Sequence, residues 1–198
     1  MLKKTTAEEF YDAIASDYDD ILESDKCDAR HVNEAVKIFH RYNHHQGNIL
    51  DIGCGTGMLS QLLEGNFEYT GIDISNEMLN IASKRGYQTI CKPLEIALAE
   101  VDTDSYDFVF CLSSLLCIED VGAAIIHMRR IARKTILISL DEVSQEFIQK
   151  YVIPVFDHSQ FPIEDAVEDY FIAGWTSPTI DMSVQTRMIY IEQNNHLK

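Results

Sequence analysis

The sequence predicts an α/β protein with a Rossmann-like, seven-stranded, mostly parallel sheet, helices on both faces, an antiparallel last strand and an N-terminal helical cover. Short apolar runs alternate with amphipathic helical patterns over residues 49–152, which is typical of βαβ units. Several of these runs lack a polar face, as expected for parallel strands that are buried on both sides. The last two runs are linked by turn-forming residues 176–179 without a helix, which favours an antiparallel hairpin.

The N-terminal segment predicts two helices ahead of the first strand. Apolar residues recur at helical spacing over 6–22 and again over 32–42, and Asp28 is a candidate N-cap for the second helix. Residues 44–48 interrupt the pattern as a loop would. We therefore expect residues 1–46 to cover the sheet rather than to form a separate domain.

The remaining elements follow in order along the chain. Gly86 and Pro154 are natural stops for two of the helices. Strands are expected at 49–52, 69–72, 88–91, 106–112, 135–140, 170–175 and 184–191, and helices at 58–63, 76–84, 94–100, 121–132 and 143–152. The prediction is one domain over 1–198, with a core at 47–141 and a C-terminal part at 142–198.

Composition excludes several functional classes. The net charge of −16, from 32 acidic against 16 basic residues, disfavours a nucleic-acid partner, which needs clustered Lys and Arg. No apolar stretch is long enough for a signal peptide or a membrane span. Five cysteines without metal-binding spacing indicate reduced thiols and no metal site. We expect a soluble cytoplasmic protein, whose oligomeric state the sequence does not indicate.

Three glycines follow the first strand at alternate positions. Gly53, Gly55 and Gly57 allow a sharp turn and remove side chains, so that a ligand can approach the backbone closely. The turn stands at the carboxyl end of a parallel strand, where open α/β sheets bind ligands. A dinucleotide-binding loop would need a third glycine where Met58 stands.

The spacing Asp51-x-Gly53-x-Gly55-x-Gly57 instead resembles the first motif of class I S-adenosylmethionine-dependent methyltransferases. The resemblance implies that the glycine loop passes under the methionine part of the cofactor. It also implies that Asp73, at the end of the second strand, takes the two ribose hydroxyls, since a carboxylate accepts two hydrogen bonds from a vicinal diol. Asp51 would face the ammonium end of the methionine moiety through a hydrogen-bond network.

Other motifs extend the resemblance over roughly residues 8–140. The opening Phe10-Tyr11-Asp12-x-Ile14-Ala15-x-x-Tyr18-Asp19 is similar to that of small-molecule methyltransferases of the quinone-biosynthesis type, whose first helix covers the cofactor. Met78-Leu79 and Ser105-Tyr106-Asp107-Phe108-Val109 match further family patterns. The expected cofactor-binding residues are Tyr11, Tyr18, Asp51, Gly53, Cys54, Gly55, Gly57, Asp73, Ile74, Met78, Pro93, Leu94 and Cys111.

The sequence departs from the family at two functional positions. The stretch Cys91-Lys92-Pro93-Leu94-Glu95 lacks an evident acid for the adenine amino group, so Leu94 is expected to cover the adenine while a backbone group replaces the acid. Leu115-Leu116-Cys117 stands where many relatives have a His-His or Glu-His pair, so the catalytic residues stay unknown. Cys111-Leu112-Ser113-Ser114 replaces the Asn-Pro-Pro-aromatic motif of enzymes that methylate nucleic-acid bases.

The acceptor is not readable from these motifs. Candidates for an acceptor pocket are Tyr11, Tyr18, His31, His158 and Trp175, although a role as a packing, surface or core residue is the stronger explanation for each. The resemblance implies in-line transfer of a methyl group from S-adenosylmethionine to a nitrogen, oxygen or other nucleophile of a small molecule, with S-adenosylhomocysteine as product. The alternative is a catalytically silent cofactor-binding partner protein, and a nicotinamide-dependent oxidoreductase ranks third.

Overall fold

Seven strands form one sheet in the computed structural model, which describes residues 4–24, 30–42 and 44–193. The strands are β1 (Gln46–Ile52), β2 (Asn66–Asp73), β3 (Tyr87–Cys91), β4 (Tyr106–Cys111), β5 (Ala132–Glu142), β6 (Glu168–Ser177) and β7 (Met182–Glu192). Their order is β3-β2-β1-β4-β5-β7-β6, in which β1 to β5 are parallel and β7 is antiparallel to both its neighbours. The predicted fold class, with its antiparallel last strand, is confirmed.

Helices cover both faces of this sheet. They are α1 (Ala7–Ile14), α2 (Tyr18–Glu23), α3 (Arg30–Arg41), α4 (Leu59–Leu62), α5 (Asn76–Lys84), α6 (Leu94–Glu100), α7 (Val121–Ile131) and α8 (Gln145–Lys150). On one face, Phe39 of α3 packs against Phe108 and Phe110 of β4. On the other, Leu98 of α6 and Ile125 of α7 belong to a second core cluster. This two-sided burial explains the apolar runs of the central strands.

Several element boundaries differ from the expected ones. The helix expected over 6–22 is divided into α1 and α2 by a 3-10 turn at Ala15–Asp17. The helices expected at 58–63 and 143–152 shorten to α4 and α8, and α8 begins where the Ser144 side chain accepts a hydrogen bond from the Phe147 N–H. The expected N-cap Asp28 lies outside the described residues.

The topology creates a crevice at the carboxyl ends of the central strands. The strand order reverses between β1 and β4, and ligands of open α/β sheets bind beside such a reversal. The chain before α1 is tied to the segment after α8, because the Thr5 N–H donates to the Val152 carbonyl at 2.9 Å. Among the described residues, no helix has both the length and the apolar character required to cross a membrane.

Candidate functional site

A cavity of about 310 Å³ lies in this crevice. It is enclosed by α1 and α2, the glycine loop after β1, the end of β2, the start of α6, the loop after β4 and the β6–β7 connection. The residues that line it are Ala7, Phe10, Tyr11, Ile14, Tyr18, Ile21, Leu22, His31, Gly53, Gly55, Asp73, Ile74, Met78, Pro93, Leu94, Glu95, Leu112, Ser113, Ser114, Leu116, Cys117, Ile118, Tyr151, Trp175, Ser177, Pro178 and Thr179.

The glycine loop presents bare backbone to the cavity. Gly53 has a φ of +66° and its N–H donates to the Ile72 carbonyl at 2.7 Å, which ties the loop to the end of β2. A Cβ added to Gly53 would overlap the Ser114 side chain. Gly55, with a φ of +52°, lines the cavity, and a Cβ there would meet only the Tyr18 ring at 3.5 Å. The left-handed backbone and the missing side chains leave space that a ligand can fill.

Asp73 is held in place by the same loop. Its Oδ2 accepts a hydrogen bond from the Gly55 N–H and its Oδ1 accepts one from the Ser75 N–H, each at 2.9 Å. Burial raises the pKa of this carboxyl, while these backbone donors lower it. A carboxylate oxygen can accept more than one hydrogen bond. Asp73 can therefore receive donors from a ligand in the cavity without releasing the loop.

Asp51 lies behind this surface and is not one of the described lining residues. Its side chain is buried, and its Oδ2 accepts a hydrogen bond from the Tyr87 hydroxyl at 2.8 Å. Burial raises the pKa of the Asp51 carboxyl to about 7, and the negative charge of Asp73 adds to that effect. Asp51 therefore keeps its proton to a higher pH than an exposed aspartate does.

We expect Asp51→Asn to flatten the pH dependence of folding stability. Because the folded protein holds a proton on Asp51 between about pH 4 and 7 that the unfolded chain has lost, stability falls as the pH rises through this window. Urea denaturation of the ligand-free variant should show a free energy of unfolding higher than wild type by at least about 1 kcal/mol at pH 8, and no gain at pH 4. Asp102→Asn, at an exposed position, is the control. An unchanged slope would show that Asp51 titrates normally.

Two acids of the N-terminal motif, Asp12 and Asp19, fasten the helical cover to the start of α5 and to the glycine loop. Asp12 on α1 accepts a hydrogen bond from the Ser75 hydroxyl at 2.6 Å and one from the Glu77 N–H at 3.2 Å. These bonds lower the pKa of Asp12, with the Ser75 hydroxyl as the largest cause. The contact places α1 over the start of α5, and Tyr11 beside Asp12 then faces the cavity.

Asp19 on α2 makes the second attachment. It accepts a hydrogen bond from the Thr56 hydroxyl at 2.6 Å and forms an ion pair with Arg85. Arg85 also donates to the Thr56 carbonyl at 3.1 Å, so the glycine loop, α2 and the end of α5 share one network. Tyr18 beside Asp19 lines the cavity.

We expect Asp19→Asn to loosen the cover without unfolding the sheet. The variant loses the charge of a partly buried ion pair, so amide hydrogen exchange should rise by about tenfold in residues 7–23 and stay unchanged in β1 and β4. Asp20→Asn makes the same charge change at an exposed position of the same helix and should leave exchange as in wild type. Equal exchange in both variants would show that Asp19 does not hold the cover.

The structure places most of the expected cofactor-binding residues around the cavity. Those that line it are Tyr11, Tyr18, Gly53, Gly55, Asp73, Ile74, Met78, Pro93 and Leu94. Four others are outside the described lining: Asp51, Cys54, Gly57 and Cys111. Gly57, with a φ of +77°, is close to the Tyr87 ring, where an added Cβ would lie at 2.8 Å, so it serves packing behind the loop. Cys54 and Cys111 are buried thiols with raised pKa values caused by burial.

The candidates for acceptor binding divide in the same way. Tyr11, Tyr18, His31 and Trp175 line the cavity. His158 does not belong to the described lining, and its Nε2 lies 2.6 Å from the Ile118 carbonyl oxygen. Sequence reasoning missed Glu95, which lines the cavity one residue after Leu94.

Aromatic rings form part of the cavity wall. Tyr151, which follows α8, and Trp175 of β6 have ring centroids 6.4 Å apart. The centroid of the Tyr11 ring lies 5.2 Å from that of Phe10 and 6.3 Å from that of Tyr18. Phe10, Tyr11 and Tyr18 belong to the N-terminal motif, whereas Tyr151 and Trp175 come from distant segments, so no local motif joined the two groups. Within the described part of the chain, no cluster of three or more His, Cys, Asp or Glu residues is arranged to hold a metal.

Comparison with known proteins agrees with this architecture. A family model described as a methyltransferase domain matches residues 50–138. A ubiquinone biosynthesis O-methyltransferase of Burkholderia vietnamiensis is 39% identical over 75 residues, which are 33% of this chain and 31% of the relative. The corresponding protein of Idiomarina loihiensis is 33% identical over 94 residues, 42% of this chain and 38% of the relative. The chain thus covers only about a third of the length of these curated relatives.

Solved structures match over almost the whole chain at low identity. Magnesium protoporphyrin IX methyltransferase from Synechocystis PCC 6803, solved with bound SAH, has a TM-score of 0.69 and 16% identity and covers 94% of this chain and 97% of its own. A chain from the complex of the Haloferax volcanii Trm112 methyltransferase activator with a methyltransferase has a TM-score of 0.75 and 18% identity. The match covers 98% of this chain and 100% of the other. At these identities the likeness shows the fold.

Proposed function

Since the chain carries the methyltransferase domain and fold of the class I S-adenosylmethionine-dependent family, we propose that it is an enzyme that methylates a small molecule. One observation carries the proposal. A single cavity joins the bare backbone of the glycine loop and the anchored carboxylate of Asp73 to an aromatic chamber lined by Tyr11, Tyr151 and Trp175. A cofactor and an acceptor must meet in such a space for direct transfer.

The residues around the loop fit S-adenosylmethionine. The Cβ position of Gly55 is open except for the Tyr18 ring, and the bare backbone there would take the methionine part. Asp73 would accept the ribose hydroxyls, because each of its oxygens accepts one backbone hydrogen bond and can accept another. Met78 and Leu94 supply apolar surface for the adenine. When bound, the cofactor supplies a methyl group that the positive charge on sulfur has already activated.

The protein's own contribution is alignment and the exclusion of water. The cover formed by α1 and α2 is fastened through Asp12 and Asp19, and it places Tyr11 and Tyr18 over the glycine loop. Such enclosure orients the acceptor for in-line displacement, and orientation accounts for a large share of the rate in reactions of this kind. A general base is needed only where the acceptor must lose a proton.

We propose a small-molecule acceptor and a cytoplasmic location, and no nucleic-acid partner. The net charge of −16 opposes binding to a phosphate backbone. The names of the curated relatives point to an oxygen acceptor. The family match, however, covers only residues 50–138, so Tyr11, Tyr151 and Trp175 on the acceptor side lie outside the matched range. The acceptor atom therefore has to be read from this chain's own residues. We further propose that residues 1–198 act as one domain, as the Thr5–Val152 hydrogen bond supports.

The experiment is a transfer assay with S-adenosylmethionine that carries a labelled methyl group, offered a panel of small amines, phenols and thiols. Calorimetric titration with S-adenosylhomocysteine runs in parallel. The proposal expects cofactor binding and label on at least one class of acceptor. Binding without transfer to the panel or to a metabolite extract would favour the silent partner protein, and absence of binding would contradict both functions.

A further inference from the structure

A buried carboxyl group, that of Asp141, lies at the carboxyl end of β5, and the proposed reaction gives it no role. Asp141 is only 2% exposed. Its Oδ1 accepts hydrogen bonds from the Thr186 hydroxyl at 2.6 Å and from the Trp175 indole N–H at 3.4 Å. Its Oδ2 is also buried and has no hydrogen-bond partner among the described residues. Such an orphaned buried oxygen is rare in folded proteins and calls for a partner.

Ser113 stands between this carboxyl group and the cavity. It follows β4 with a φ of +51°, a strained conformation for serine, and its N–H donates to the Ser139 hydroxyl at 2.6 Å. Its Oγ is buried and, like the Asp141 Oδ2, finds no partner in the described part of the chain. Ser113 lines the cavity, and its hydroxyl is near enough to Asp141 to lower the pKa of that carboxyl. Strained residues of this kind recur at binding and catalytic sites.

The charges around the cavity are of one sign. Asp73 and Glu95 line it, Asp141 lies directly behind it, and the described lining contains no Lys or Arg. An isolated buried carboxylate is costly unless a positive group pairs with it. The rings of Tyr151 and Trp175 present faces and edges to the same chamber, and aromatic faces attract cations. A carboxylate or phosphate on the acceptor would find no counter-charge here.

We propose that the acceptor is an amine with an apolar or aromatic body, and that Ser113 and Asp141 bind its nitrogen. This inference rests on the proposed methyltransferase function and specifies its acceptor. The Ser113 hydroxyl, which is buried in the free protein, turns toward the cavity and contacts the nitrogen, and Asp141 is a positioning residue that acts through it. A proton then moves from the ammonium group to Asp141 through the Ser113 hydroxyl, which leaves a neutral amine with a free lone pair and a protonated carboxyl group.

Burial raises the pKa of the Asp141 carboxyl to about 6, which suits this exchange near neutral pH. The other titratable groups that face Asp141 are the thiols of Cys111 and Cys117. Burial raises the pKa of both, well above the usual value for Cys111 and to about 12 for Cys117. Both thiols are therefore neutral near pH 7, and among these three groups only the Asp141 carboxyl can carry a charge.

Three probes of matched shape test the inference: 2-phenylethylamine, 2-phenylethanol and phenylacetate. Trp175 is the protein's one tryptophan and donates to Asp141, so its fluorescence reports binding at this end of the cavity. In protein saturated with S-adenosylhomocysteine, the amine should bind about tenfold more tightly than the alcohol, and phenylacetate should bind most weakly. Equal affinities, or a preference for phenylacetate, would overturn the proposal.

Two variants separate recognition from folding. Asp141→Asn keeps an oxygen for Thr186 and Trp175 and should abolish the preference for amine over alcohol, while Asp165→Asn, a surface acid paired with Arg129 at 2.7 Å, should retain it. Ser113→Ala removes the link to Asp141, so it should weaken the amine by about tenfold and the alcohol less, and it covers the case in which Asp141→Asn does not fold. An amine preference that survives in Asp141→Asn would contradict the assignment.

The same titrations keep this inference apart from the proposed function. Failure of wild-type protein to bind S-adenosylhomocysteine would contradict the proposed function itself. Normal binding of S-adenosylhomocysteine without amine preference would overturn only the assignment of Ser113 and Asp141.

Discussion

Replacement of Asp73 by alanine is expected to reduce the affinity for S-adenosylhomocysteine by at least about 100-fold. The side chain would lose two charge-assisted hydrogen bonds to the ribose, each a strong contact in a buried site. It would also release the Gly55 N–H, which Asp73 holds at 2.9 Å in the free protein, so that the glycine loop loses its fixed position. Calorimetric titration of the purified variant measures the effect.

Two further variants show whether the loss comes from the contact itself. Asp73→Asn keeps one acceptor oxygen, so its affinity for S-adenosylhomocysteine should lie between those of wild type and Asp73→Ala. Asp165→Ala removes an exposed acid far from the cavity and should bind as wild type does. Thermal unfolding of each variant confirms that it is folded. Wild-type affinity in folded Asp73→Ala would show that the ribose is bound elsewhere.

Gly53→Ala is expected to cause the largest loss of folding stability among substitutions in the loop, about 2 to 5 kcal/mol. Two costs add at this position. Any residue with a Cβ is strained at a φ of +66°, and the new Cβ would overlap the Ser114 side chain. The measurement is the free energy of unfolding in urea, with calorimetry to show that cofactor affinity falls as well.

Gly86 provides the matched control for the backbone cost alone. It has a φ of +93°, and nothing lies within 4 Å of the position that a Cβ would take. Gly86→Ala should therefore cost only about 1 to 2 kcal/mol and leave cofactor binding unchanged. Adding Ser114→Gly to Gly53→Ala removes the overlap and should restore part of the stability, as a double-mutant cycle would show. Equal costs for Gly53→Ala and Gly86→Ala would mean that Ser114 moves aside freely.

Hydrophobic periodicity was sufficient to predict the sheet and its helices. The apolar runs that became β1, β4 and β5 are buried on both faces, and this is what their composition indicated. Periodicity did not locate the ends of the elements, because caps and tertiary contacts decide them. Ala132, for example, fits the pattern of α7 but begins β5, whose pairing with β4 starts there.

Spacing along the chain yielded a prediction for the cofactor side of the site and none for the acceptor atom. The glycines and Asp73 lie within one strand–helix–strand unit, β1-α4-β2, so a local pattern could point to them. Asp12 and Asp19 belonged to a motif whose purpose became clear only when their partners Ser75 and Thr56 were placed. Asp141 has no local signal beyond being an acid at the end of an apolar strand.

The residues that surround Asp141 come from distant parts of the chain. Ser113 follows β4, while Trp175 and Thr186 belong to the C-terminal hairpin, and they converge on Asp141 only through the order of β4, β5, β7 and β6. The strained backbone of Ser113 is likewise a tertiary property. A base that the sequence lacks at one family position can therefore be supplied by the next strand of the sheet.

The most direct test of the central claim, that this cavity holds a sulfonium cofactor, is calorimetric titration of the intact chain with S-adenosylhomocysteine and with reduced nicotinamide dinucleotide. The glycine loop, with Met58 in place of a third glycine, and the anchored Asp73 predict binding of the first ligand at one site per chain and no binding of the second. Absence of heat with S-adenosylhomocysteine, or saturable binding of the dinucleotide in its place, would contradict the claim.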